Sequence, residues 1–547
     1  MAEKDTGALA GAAPAEAGSD NKWLFWACFV ALIATSVAFI TRLSLLNQWA
    51  AEFNLSAVQK GEIAGAGIWP FAVSIILFSL VIDRIGYGKA MIFAFVCHIA
   101  YGVIVICAPM ALADKGAAPE AVAAGQKTGY WLLYIGSIIL GLSNGTVEAV
   151  INPVVATMFT RQKTKWLNIL HAGWPAGLVG GGVLLIAIGG LDWRWTIAII
   201  FIPAVIYGAM MLRAKFPVSE RVAARVSYME MLREFGILAA IIVVALLVLQ
   251  VADVLKSVLG LTWSDWRLQL VVAAVALSII VAFGAIVRSP GRIILFVLML
   301  IMIPLATTEL GTDGWITSLM EPLMKDLGAH AAWVLIYTSL IMMILRFCAG
   351  PIVHKLKPLG LLAVSAAIAA VGLFALSKTA GWLIFGAATL YALGKTFFWP
   401  TMLGVVSERC PKGGALTLNA VGGMGMLAVG VLGMPFIGLL QDSVSTSRLR
   451  NEQPRLYASV VGEKEGIYGK YQAVSPDKAK KLDAEDRKVV DRIDAEAKQG
   501  ALAYMAIFPC VMLVCYLIMM AYFAAKGGYK PVELTAETKG GEQPPPE

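Results

Sequence analysis

The sequence predicts an all-α membrane protein: two six-helix bundles with two additional transmembrane helices between them, fourteen in all. Three observations predict it. Of 547 residues, 59% are hydrophobic and only 15% charged, where soluble domains run at roughly 45–50% apolar and about 25% charged. Apolar windows of the ~20 residues needed to cross hydrocarbon recur along most of the chain. These windows also fall into two sets of six that carry related polar motifs at related places.

Taken in order, residues 1–22 are Ala/Gly-rich with mixed charge and lack a basic start followed by a short apolar core, so they read as a cytoplasmic tail rather than a cleavable signal. The N-terminal bundle, 23–213, holds windows near 23–46, 63–82, 90–112, 129–158, 166–190 and 194–213. A basic connector, 214–236, precedes the inserted pair in 237–290, with windows near 237–255 and 268–287 joined by a Trp-rich turn at 263–267. The C-terminal bundle, 291–525, has windows near 292–320, 332–352, 358–377, 381–405, 414–440 and 501–525. Its long polar loop, 441–500, is predicted outside, with a surface helix over 477–498, and 526–547 reads as a disordered tail.

With the N-terminus inside, the inside loops carry about twice as many Lys and Arg as the short outside ones. The expectation is a multi-pass inner-membrane protein with both termini cytoplasmic. That bias also accounts for the net charge of +8 without nucleic acid. The seven cysteines lack metal-ligand spacing, the four histidines form no cluster, and no phosphate-binding loop or nucleophile constellation appears. The expectation is therefore no enzyme, no metal and no cofactor. The partners expected are a small-molecule solute, protons or another ion, and the bilayer, with the chain monomeric.

Four charged residues lie inside otherwise lipid-buried segments: Arg42, Glu148, Glu309 and Lys395. Each costs at least ~3 kcal/mol in hydrocarbon, so such groups face a cavity or a partner. They also follow an internal repeat. Glu148 and Lys395 both stand five residues before a proline, in Glu148-Ala-Val-Ile-Asn152-Pro153 and Lys395-Thr-Phe-Phe-Trp399-Pro400, and each motif leads through a basic loop to a Gly-rich helix. Thr41-Arg42 and Thr308-Glu309 each precede a tryptophan, Trp49 and Trp315, at similar spacing. Repeated halves of this kind place a binding site at the bilayer midplane between them.

Low-dielectric surroundings favour the neutral form of a carboxyl, so Glu148 is the candidate proton carrier; a permanent pair with Arg42 is the competing reading. Arg42 offers a planar donor fork for a carboxylate or hydroxyls. Glu309 and Lys395 present the same choice between mutual pairing and a site role. Asn152, Asn168 and His171 supply neutral donors and acceptors suited to sugar hydroxyls, or to helix–helix contact, and Trp174 a face on which a sugar ring can stack.

The loop Ser79-Leu-Val-Ile-Asp83-Arg84-Ile-Gly86-Tyr-Gly-Lys89 resembles the signature of the major facilitator superfamily, with Ser79 where the family has glycine and Tyr87 where it has a basic residue. The resemblance implies the major facilitator fold, with Asp83, Arg84, Gly86 and Lys89 as a conformational latch. Within it, Glu148-x-x-x-Asn152-Pro153 and Leu167-Asn168-Ile-Leu-His171 resemble the fucose–proton symporter type of sugar porter. His171 stands where that type carries an amide, Trp174 replaces a second amide, the acidic residue of its first helix is missing beside Arg42, and the inserted helices are extra. The resemblance implies a proton-coupled carrier of a sugar or sugar derivative working by alternating access. The positive charges favour an acidic sugar as a sub-case; the alternatives are an organic-anion or drug carrier, or a transporter-like sensor.

Overall fold

The computed structural model describes residues 19–114, 116–313, 332–379 and 381–534, with 324, 328 and 330 as isolated points. The ends of both predicted tails, Trp315 and the last part of the expected span 292–320 lie outside the described residues.

Among the described residues twelve helices are long and apolar enough to cross a membrane, and a bent pair makes thirteen. Spans 1–6 are Lys22–Glu52, Gln59–Ile85, Tyr87–Ala111, Pro119–Met158, Thr160–Ile188 and Trp193–Met211. The inserted pair is Tyr228–Lys256 and Trp266–Val287. Span 7 is Ile293–Gly311, span 8 the pair Ala332–Phe347 and Ala349–Leu356 bent by 69°, and span 9 Pro358–Leu376. Spans 11 and 12 lie within Pro411–Glu452 and Ala484–Ala525. The remaining expected span, 381–405, is two shorter helices, Leu383–Lys395 and Phe398–Arg409, referred to here as span 10.

Helix breaks mark the interior. Span 2 divides into Ala57–Ala66 and Trp69–Ile85 around Gly67. Span 5 divides into Lys163–Leu170 and Gly173–Ile188 at His171 and Ala172. Span 7 ends in a π-helical turn, Thr307–Gly311, just after Pro304. Such breaks are tolerated in a membrane where side chains or neighbouring helices take up the freed backbone groups. Span 4 is unbroken but long: its 40 residues extend ~60 Å at 1.5 Å per residue, about twice the hydrocarbon thickness.

The inserted pair packs on the outside of the last six spans, and only 6% of the central stretch of Trp266–Val287 is buried. One end is fixed by Ile237 N–H to the Ser289 carbonyl (3.0 Å) and Leu238 N–H to that of Pro290 (3.1 Å). Gly236, at φ 67°, lets the backbone cross Gly291 so closely that a Cβ would come within 2.1 Å. At the other end Ser264 N–H donates to Glu465 at 2.7 Å.

The long loop is more ordered than its composition predicts. An antiparallel hairpin, Val461–Gly466 with Val474 back to Gly469, packs with Ala484–Met505 around Leu449, Leu456, Val460, Val490 and Ile493. The surface helix begins later than 477–498 and continues into span 12. The hairpin was not expected, because Gly462-Glu-Lys-Glu-Gly466 has none of the apolar alternation that signals a strand.

Candidate functional site

Three prolines organise the centre. A proline inside a helix lacks the N–H that would bond the carbonyl four residues earlier. Pro153 stands inside its helix and Pro175 and Pro400 in the first turns of Gly173–Ile188 and Phe398–Arg409, so the carbonyls of Ala149, His171 and Thr396 receive no bond from the residue four places on. Asn419 of span 11 donates its amide to Ala149 O at 2.9 Å. Arg346 of span 8 serves the other two, through Nη1 to His171 O at 2.8 Å and Nε to Thr396 O at 2.7 Å. Ala149 and His171 belong to the first six spans, Asn419 and Arg346 to the last six. Two of the proline-freed carbonyls are thus filled from the opposite half.

The third arm of Arg346, Nη2, meets Glu309 Oε1 at 2.8 Å, and Glu309 Oε2 accepts the Trp399 N–H at 3.0 Å. The guanidinium lies at the C-terminal ends of two helices and the carboxylate at the N-terminal end of a third, each the favourable sign for the helix dipole. Across the gap, His171 Nε2 stands 2.9 Å from Asn152 Oδ1, and Asn152 Nδ2 donates to Glu148 Oε2 at 2.6 Å. With Asn152 turned so that its amide donates, His171 Nε2 carries the proton toward it. Glu148 is 5% exposed, and among the described residues no Lys or Arg nitrogen lies within ion-pair distance of it. Glu148 and Arg346 still interact electrostatically.

A pocket lies between these groups, with about 370 Å³ of empty space when the solvent open to it is included. It is lined from both halves: Phe71, Glu148, His171 and Trp174 on one side, Glu309, Leu310, Arg346, Trp399 and Met426 on the other. Indole faces, two carboxyls, one guanidinium and an imidazole lining one pocket supply the groups that stack a ring, bond hydroxyls and hold a proton.

The other predicted residues are placed as follows. Asn168 is buried and donates to Thr164 O (2.9 Å) and Thr401 Oγ1 (3.1 Å), bridging the halves beside the cavity. Lys395, fully buried, pairs closely with Asp313 rather than with Glu309 and lies 5.3 Å from the Tyr391 ring centroid. Arg42 does not pair with Glu148: its Nη1 donates to Ile63 O and Ala64 O (both 2.9 Å), the end of the helix Ala57–Ala66. The guanidinium packs on Gly67, where a Cβ would fall 2.3 Å from Cζ. Four charges facing one cavity, with Arg42–Glu148 and Glu309–Lys395 as natural pairs, is therefore not the arrangement found. Arg42 and Lys395 are not among the residues lining this cavity.

Asp83, in the last turn of span 2, is bound to the central connector: Arg221 Nη2 at 2.5 Å and Ser219 Oγ at 2.9 Å. Arg84 lies 5.0 Å from the Tyr228 ring centroid, Lys89 is exposed, and Gly86 turns the chain at φ 84°. The same connector takes Lys163 onto Glu220 at 2.5 Å, and Lys163 also donates to Ser407 O at 3.2 Å. Thr164 donates to Glu408 Oε1 at 2.5 Å, whose Oε2 accepts from Tyr529 at 2.7 Å. At this end of the bundle the halves are fastened together.

The model of the Major Facilitator Superfamily matches residues 24–312, more than half of the chain. The chain belongs to the major facilitator superfamily. A search of curated proteins finds no similar sequence. Among solved structures, the proton:xylose symporter XylE of E. coli, bound to 6-bromo-6-deoxy-D-glucose, shares the fold with TM-score 0.56 at 15% identity, over 91% of this chain and 94% of that one. A variant of the E. coli fucose:proton symporter FucP matches with TM-score 0.51 at 13% identity, over 89% and 98%. A bacterial homolog of the human lysosomal transporter Spinster, inward-facing and occupied, matches with TM-score 0.52 at 14% identity, over 94% and 100%. At these identities it is the fold that is shared.

Sequence reasoning missed Arg346 and Asp313 as partners. Arg346 lies inside the window 332–352 but belongs to neither repeated motif; Asp313, one turn beyond Glu309, reads as already at the surface. The available signal was the pair Pro175 and Pro400, whose freed carbonyls call for a buried donor.

Proposed function

We propose that the protein is a secondary active transporter moving a small polar solute, a sugar or sugar derivative, across the inner membrane by alternating access, with Glu148 as its proton-binding group. One observation carries the reading. Of the three charged groups lining the central cavity, Arg346 and Glu309 neutralise each other, and among the described residues Glu148 is hydrogen-bonded by the Asn152 amide alone. A bare carboxylate in a closing apolar cavity is costly, so closure calls for a proton on Glu148.

Trp174 and Trp399 offer stacking faces and His171 a hydrogen-bonding edge for hydroxyls. Asn152 holds Glu148 in place, and Asn168 ties the halves beside the site. The symporters XylE and FucP, whose fold this chain shares, are named for xylose and fucose with protons. With the N-terminus inside, as the loop charges favour, the fastened end at Asp83 and Glu408 faces the cytoplasm, and rocking must release it. Asp83, Arg84, Gly86 and Lys89 then act with Arg221 as the latch. The organic-anion alternative needs Arg42 and Lys395 as a clamp, and both are engaged away from this cavity.

The test is uptake of a panel of neutral, acidic and amino monosaccharides into proteoliposomes, with and without an acid-outside gradient. Accumulation of at least one sugar, dependent on the gradient, is expected. No sugar accumulating under either condition would overturn the sugar reading; equal accumulation without the gradient would overturn proton coupling.

A further inference from the structure

The helix Phe398–Arg409 ends where the two halves are fastened, and its last carbonyls have no helical donor to follow them. Each is served from a different part of the chain. Ser407 O, which Pro411 cannot bond, accepts from Lys163 Nζ of the first half, and Arg409 O accepts from Arg292 Nη2 at 3.1 Å. Glu408 O accepts the Val532 N–H at 2.8 Å, from beyond span 12. We propose that the segment Tyr529–Val532 is a strap that holds this end of the carrier shut by keeping Glu408 on Thr164. The proposal rests on the alternating-access reading, and on neither the solute nor Glu148.

Three observations carry it. First, the sequence itself turns the chain back onto this place. Gly527 and Gly528 stand at φ 84° and 99°, in the left-handed region that other residues rarely adopt, and Gly528 N–H bonds Phe523 O at 2.8 Å. Pro531 then biases Lys530 to an extended backbone. Lys530 O accepts from Arg409 Nη1, and the Arg409 guanidinium lies 4.8 Å from the Phe523 ring centroid and 5.9 Å from that of Tyr529.

Second, the strap and the first half share one carboxylate. Glu408 Oε2 accepts from the Tyr529 hydroxyl at 2.7 Å, and Oε1 from Thr164 at 2.5 Å. Among the described residues no Lys or Arg forms an ion pair with Glu408. Its two hydroxyl donors therefore set where the carboxylate points.

Third, losing the Tyr529 donor is a one-sided cost. With the halves together Glu408 is 8% exposed, so a missing donor leaves a buried carboxylate oxygen unpaired. With the halves apart, water takes the donor's place. The strap thus favours the shut state without touching the first half itself.

The test is hydrogen exchange in the full-length protein in liposomes, with no solute present. The first amides of Lys163–Leu170 have no carbonyl partner within that helix. Lys163 and Thr164 are buried, and a Cβ on Gly404 of span 10 would fall 2.3 Å from Thr164 Oγ1. Exchange over 160–168 therefore reads separation of the halves. Tyr529→Phe keeps the ring and removes the donor, and exchange there should rise about tenfold, the weight of one hydrogen bond to a charged group. Changes confined to 404–412 and 523–534 would mean that the segment only packs on span 10, and would overturn the proposal.

Should Tyr529→Phe fail to fold, Val532→Pro removes the N–H to Glu408 O and gives the same reading. Thr164→Val takes away the other donor, so Tyr529→Phe should add little in that background. Effects that multiply would overturn the route through Glu408. Alternating access adds a separate sign, since amides over 57–66, at the far end of span 2, should exchange more slowly in Tyr529→Phe. Faster exchange at both ends would overturn the alternation and the proposal with it, a result distinct from a fastened end that ignores the strap.

Discussion

The first and last halves of this chain carry buried charges at repeat-related positions and treat them in opposite ways. In the last half, Glu309 has Arg346 and Lys395 has Asp313. In the first half, Arg42 grips two backbone carbonyls and Glu148 an amide; among the described residues neither has an opposite charge in contact. The sequence repeat places the charges, but the partners come from outside the repeated motifs. One half is therefore electrostatically closed, while the other keeps a carboxyl and a guanidinium whose state can change.

The contrast predicts unequal costs when single charges are removed. Asp313→Asn strands the fully buried Lys395, and breaking a buried pair from one side costs ~3–5 kcal/mol. Thermal unfolding of the purified variant in detergent should show the largest loss of this set. A change below ~1 kcal/mol would mean that Lys395 has another partner and that the last half is not closed in this sense.

Arg42→Met breaks no ion pair. It leaves the Ile63 and Ala64 carbonyls without their donor, for ~1–3 kcal/mol. A loss equal to that of Asp313→Asn would erase the distinction between the halves. Gly67→Ala sharpens it, since the new Cβ meets the Arg42 guanidinium at 2.3 Å. The overpacking costs ~1–3 kcal/mol, and in the Arg42→Met background much of that cost should vanish in a double-mutant cycle. Additivity of the two would place the strain elsewhere.

The smallest effect belongs outside the bundle. Lys464 of the hairpin pairs at 3.0 Å with Asp442 of the helix Met434–Glu452, with Lys464 more than half exposed. Lys464→Ala should change stability by ~1 kcal/mol at most. A larger loss would make the hairpin a structural support of the membrane bundle.

Spans, their order and the superfamily loop could be read from the sequence because each depends on local composition. Residues such as Glu148 and Lys395 stand out because a charge is expensive in an apolar window whatever surrounds it. What each buried charge meets is a tertiary matter. Lys395 turns to Asp313 and not to Glu309, and Arg346 reaches from span 8 to a carbonyl of span 5. The division of 381–405 near Thr396 follows the same logic: Pro400 frees the Thr396 carbonyl, and Arg346 makes the break affordable. The hairpin of the long loop is not legible in the sequence because a charged segment gains its order from the small core around Val460 and Ile493.

The central claim is that Glu148 binds the transported proton. Its most direct test compares two modes of transport in proteoliposomes for a solute found by the uptake panel. Accumulation driven by a pH gradient requires Glu148 to load and release a proton, whereas exchange of solute for solute across equal pH does not. Glu148→Gln, an isosteric mimic of the protonated acid, should abolish accumulation and leave exchange within a few-fold of wild type. Gradient-driven accumulation at the wild-type level in this variant would contradict the account and leave Glu148 a structural partner of Asn152.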